Sequence, residues 1–100
     1  MTKQEYLLIC LIEELAELQQ AISKCLRFTP DDRLKKFSKS NFEKVLIEYS
    51  DVLAVLIMYN RACPDMKFQF TENSVNTKIK SLKKWMERSQ ELGVLDASDN

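Results

Sequence analysis

Five carboxylates in two short stretches have the types and spacing for chemistry. In "LIEELAEL", Glu14 and Glu17 lie three residues apart with Glu13 beside them, and in "IEYSDVLAVLIMY" Glu48 and Asp51 repeat that spacing. Residues three apart on a helix share a face. Both stretches are otherwise apolar, so each pair points toward a partly apolar interior. Carboxylates that converge without cations repel one another, and some must take up protons. A divalent ion removes the conflict. The chain has no histidine, and an all-oxygen donor set suits a hard cation, Mg²⁺ or Mn²⁺. The same lack argues against a di-iron centre, which uses a Glu-x-x-His motif.

The elements that hold these residues follow from capping and periodicity. Thr2-Lys3-Gln4-Glu5 has the form of a capping box, which predicts a first helix from about residue 3. Leu8, Leu11, Leu15, Leu18, Ile22 and Cys25 recur at three- and four-residue spacings and carry it to about Leu26. Thr29-Pro30-Asp31-Asp32 begins a polar connection, with Pro30 suited to the first position of a short helical turn. Ser40-Asn41-Phe42-Glu43 is a second capping box, opening a helix to about Asn60 whose residues 52–59 are all apolar. A helix apolar all round is expected to be surrounded by others. After Ala62-Cys63-Pro64-Asp65, a third helix is expected to begin between Thr71 and Ser74, with a stripe of Val75, Ile79, Leu82 and Met86. It should stop before Gly93, which suits the position just past a helix end. With so few glycines and prolines and no hairpin dipeptides, the fold class is all-α. Three principal helices carry more apolar surface than one copy can hide. The expected architecture is therefore a helical bundle that assembles into a homo-oligomer, dimer or tetramer, with a four-helix-type core around the second helix.

Composition narrows the function. One hundred residues make one small domain, expected over 1–95, with 96–100 as a flexible tail. Fifteen basic residues balance fifteen acidic ones, a poor basis for nucleic-acid binding and for an anionic membrane surface. The apolar run Tyr6–Ile12 is too short to span a bilayer. Cys10, Cys25 and Cys63 are too scattered for a redox pair or a zinc site, and read as free thiols in a cytoplasmic protein.

Glu13-Glu14-x-x-Glu17 on one helix followed by Glu48-x-x-Asp51 on the next resembles the MazG-like family of all-α nucleoside triphosphate pyrophosphohydrolases, whose superfamily includes dimeric dUTPases. The likeness in helix order runs from the first helix through the third. It implies Glu14, Glu17, Glu48 and Asp51 as metal ligands, with Glu13 as a supporting carboxylate. It implies a Mg²⁺-dependent hydrolase that splits a nucleoside triphosphate between its α and β phosphates, releasing a monophosphate and pyrophosphate. The spacer between Glu17 and Glu48 is long for the family, and its extra length falls in the connection 27–40. On the third helix Asn76-Thr77-Lys78-Ile79 matches the family's Asn-x-Lys, implying that Asn76 and Lys78 bind substrate. Ser81 and Leu82 stand where arginines are usual, leaving Lys80, Lys83 or Lys84 as substitutes. Lys44, four residues before Glu48, either pairs with it or touches phosphate. The basic connection with Arg27, Arg33, Lys35, Lys36 and Lys39 is an exposed loop that could close over a triphosphate. The alternative to an enzyme is a non-catalytic helical oligomer serving as a nucleotide-binding or protein-interaction module.

Overall fold

Each of three helices starts on a hydroxyl cap. The computed structural model describes residues 1–97, and its elements are α1 (Lys3–Phe28), α2 (Asn41–Ala62) and α3 (Glu72–Glu91). Thr2 Oγ1 accepts from the Glu5 amide at 3.1 Å, and Thr71 does the same for Ser74 at 3.1 Å. At Ser40 the box is reciprocal: its hydroxyl accepts from the Glu43 amide, and the Glu43 carboxylate accepts from the Ser40 amide. These contacts satisfy donors that a helix start leaves open. There is no strand among the described residues, so the fold is all-α.

The chain divides into two compact units, one from Met1 to Phe68 and one beginning at Gln69. The first is an antiparallel hairpin of α1 and α2. Near its open end the Gln4 side-chain amide donates to the Tyr59 hydroxyl at 3.2 Å, and the Tyr59 ring meets Phe68 edge-on at 4.9 Å. At the closed end the buried Asn41 donates from its side chain to the Thr29 carbonyl at 2.9 Å. The Asn41 and Phe42 amides also donate to the carbonyls of Asp32 and Pro30. The expected short helical turn at Pro30 is a plain turn, because these carbonyls point to the start of α2 instead of along a helix of their own. Arg33 ties the connection down further, through the Ser38 carbonyl and the Glu43 carboxylate.

The helices meet along a narrow seam. On α1 the buried or half-buried positions include Gln4, Leu7, Leu11, Glu14, Leu18, Ala21 and Cys25; on α2 they include Asn41, Val45, Glu48, Val52, Val55, Tyr59 and Ala62. Both sets alternate steps of four and three, the signature of two helices packed side by side. Two expectations change here. Leu15 and Ile22 leave the expected stripe and lie 47 % exposed. Of the apolar run 52–59, only Val52 and Tyr59 are buried, while Leu53, Ile57 and Met58 are exposed. One partner helix covers a seam; it does not encircle a helix.

The second unit holds α3 and its C-terminal cap. Gly93 takes φ 75°, with its amide on the Gln90 carbonyl and the Val94 amide on that of Ser89. This pair of bonds is a Schellman closure, which favours glycine at that position. The apolar side chains of α3, Val75, Ile79, Leu82 and Met86, are all exposed. Of the expected tail 96–100, the Asp96 carbonyl accepts from the Gln90 side chain, and 98–100 lie outside the described residues. Among the described residues no helix is long and apolar enough to cross a membrane.

Candidate metal centre

Glu14 and Glu48 occupy seam positions that the pattern would fill with leucine or valine. Glu14 stands between Leu11 and Leu18, Glu48 between Val45 and Val52. In an α-helix each residue turns about 100°, so Glu17 and Asp51 step off the seam by the same angle and in the same sense. In an antiparallel pair those steps lead to one flank of the hairpin. The result is that Glu14, Glu17 and Glu48 each bring a carboxylate oxygen within 4.8 Å of one another.

Among the described residues no donor reaches two of the cluster's oxygens. Oε2 of Glu14 and Oε2 of Glu48 are buried and have no hydrogen-bond partner. Burial, followed by the charges of Glu17 and Asp51, raises the Glu14 pKa above the ordinary carboxylate value, with Glu48 adding to it. Burial likewise raises Glu48, then the adjoining Glu17 carboxylate and Asp51. Buried acceptors without donors are uncommon, because water would otherwise solvate them. Three converging carboxylates need a shared proton or a cation, and the all-oxygen set fits Mg²⁺ or Mn²⁺.

The remaining expected residues fall in different places. Asp51 is exposed and outside the three-oxygen group, although its charge acts on both Glu14 and Glu48. Glu13 is exposed and also outside it. Lys44 is half-buried on the same flank and lines a cleft of about 350 Å³ with Glu17, Glu48, Gln20, Ala21, Lys24 and Asn41. Of the two roles open to it, the ion pair with Glu48 is not formed. Asn76 and Lys78 lie exposed on α3 in the second unit. Arg33, expected in an exposed basic loop, is exposed there and pairs with Glu43 at 3.1 Å. Bonds from the Ser40 backbone and side chain, and the Arg33 charge, lower the Glu43 pKa against the opposing effect of burial.

Lys24, Gln20 and Asn41 are cleft residues that motif spacing leaves out. The available signal was Lys24 two helical turns beyond Glu17, on the same face. In comparisons with family models, curated proteins and solved structures, nothing matches the chain.

Proposed function

We propose that the chain is a Mg²⁺-dependent nucleoside triphosphate pyrophosphohydrolase that converts a (deoxy)nucleoside triphosphate and water to the monophosphate and pyrophosphate. The observation that carries this reading is the pair of buried, unpartnered oxygens on Glu14 and Glu48 within a three-carboxylate cluster that opens into a cleft with lysines. The Glu13-Glu14-x-x-Glu17 and Glu48-x-x-Asp51 motifs supply the reaction class by their resemblance to the MazG-like enzymes. A cation held by Glu14, Glu17 and Glu48, with Asp51 as fourth carboxylate, would supply charge neutralisation for the phosphates and a more acidic water. The carboxylates on the flank, Glu13 among them, orient that water and take its proton. The water oxygen bonds to phosphorus as the bridge to pyrophosphate breaks, and the leaving group departs with the bonding pair. The resemblance implies Asn76 and Lys78 as further substrate contacts; both are exposed on α3 in the second unit.

The exposed apolar side chains argue for self-association. Leu15 and Ile22 of α1, with Phe42, Tyr49 and Leu53 of α2, fall on the flank opposite the carboxylates, and all are exposed. Monomeric proteins rarely leave a patch of this kind uncovered. Two hairpins joined there would form the four-helix core of a homodimer or, doubled, a tetramer. The free thiols suit a cytoplasmic setting. The same patch favours the second reading, a non-catalytic oligomeric module.

A panel of nucleoside and deoxynucleoside triphosphates with Mg²⁺, followed by separate assays of pyrophosphate and phosphate, tests the reading. Pyrophosphate release that Glu14→Gln abolishes is the expected result. Release of single phosphates, or no turnover with any member, refutes it.

A further inference from the structure

Two cavities on the hairpin adjoin. The cleft beside Glu17 and Glu48 shares Lys24, Asn41 and Lys44 with a second cavity of about 210 Å³, which Phe28 and Leu34 line at its far side. Following the hairpin toward its closed end, the lining passes from carboxylates to two lysines and then to Phe28 and Leu34, with Asp32 beside them. Neither lysine is in an ion pair: among the described residues the ion pairs are Arg33–Glu43 and Arg88–Glu91. The start of α2 lies at this end, and a helix N-terminus carries partial positive charge. That charge is already met by Glu43, whose carboxylate accepts from the Ser40 amide while it pairs with Arg33. The two lysines therefore supply the positive charge beside the cation-ready end.

We propose that Lys24 and Lys44 are the phosphate-binding residues of this cleft, in place of the arginines absent from α3, and that a polyphosphate lies along the hairpin from the carboxylates toward Phe28. The α-phosphate, nearest Glu17 and Glu48, would share the cation, and the β- and γ-phosphates meet the two ammonium groups. This rests on the pyrophosphohydrolase reading for its substrate, and on the paired cavities and unpaired lysines for its location.

The experiment uses the full chain and inorganic tripolyphosphate with Mg²⁺, measured by calorimetry, beside nucleotide turnover. Lys24→Gln and Lys44→Gln are each expected to weaken tripolyphosphate binding at least tenfold, and Lys44→Arg to restore most of it. Lys67→Gln, outside both cavities, should bind as the parent does. Circular dichroism verifies that each variant is folded, and Lys24, which is exposed, carries the test if Lys44→Gln unfolds. If the parent hydrolyses nucleotide and the lysine variants keep its KM and its tripolyphosphate affinity, the lysine assignment falls while the enzyme reading stands. If tripolyphosphate binding follows the lysines but no nucleotide is hydrolysed, the assignment stands and the enzyme reading falls. A parent that does not bind tripolyphosphate overturns the assignment.

Discussion

Glu48→Gln separates a cation site from an acidic seam of another kind. The substitution keeps the shape of a side chain that sits between Val45 and Val52 and removes its charge. In the metal-free parent, burial first and then Glu17 and Asp51 raise the Glu48 pKa above the ordinary 4.5. Between that value and the raised one, the folded chain binds more protons than the unfolded chain. Stability must then fall as pH rises through this window, and the loss persists at every higher pH. Glutamine does not ionise, and it also relieves Glu14, whose pKa Glu48 helps to raise. Without metal, the variant should melt above the parent at pH 8, and the difference should close as pH drops below about 4.5. Mg²⁺ reverses the order. At one hundred times its Kd, a ligand of the native state stabilises by about 2.7 kcal/mol. For a chain of this size that moves Tm by roughly 10–20 °C. Loss of one of three carboxylates, if it weakens Mg²⁺ a hundredfold, leaves about 0.4 kcal/mol at the same concentration, a shift of a few degrees. Melts followed by circular dichroism from pH 4 to 8, in EDTA and in MgCl₂, measure both effects. A variant that melts below the parent in EDTA at pH 8, or gains as much from Mg²⁺, would refute the cation site.

Two other outcomes follow from the hairpin. Thr29 has φ 94°, a conformation in which a β-branched side chain is strained, so Thr29→Gly should raise stability by about 1 kcal/mol in chemical denaturation; a loss would mean that the Thr29 side chain is needed there. Leu53→Asp, on the exposed apolar flank, should convert an oligomeric parent to a folded monomer in light scattering, and a parent that is already monomeric at micromolar concentration would remove the interface from consideration.

The helices were legible because their signals are local. Thr2, Ser40 and Thr71 announce their starts, and Gly93 the end of α3. Their partition into core and surface was less legible. Leu15 and Ile22 have the same chemistry and nearly the same period as Leu11 and Leu18, and only the narrowness of a two-helix seam puts them outside. Spacing located the carboxylates, but Glu17 and Asp51 have equivalent offsets from their seam neighbours. Side-chain reach in three dimensions, which no spacing encodes, places Glu17 in the cluster and Asp51 outside it. Lys24 was hidden for the opposite reason, since a lone lysine on a helix reads as solvated until a cavity is found beneath it. The turn at Thr29 depends on hydrogen bonds from Asn41 and Phe42, twelve or so residues away, and has no local signature.

The seam positions of Glu14 and Glu48 have a consequence for anyone who alters this chain. Leucine or valine at those two sites would make the row of contacts apolar from Leu7 to Cys25 on α1 and from Val45 to Ala62 on α2. Selection for heat resistance alone would therefore drive substitutions to these sites first, since burying a hydrocarbon there adds stability that a buried carboxylate cannot. Firmness of the scaffold and the capacity to hold a cation compete for the same two residues, and a redesign can favour one only by giving up part of the other.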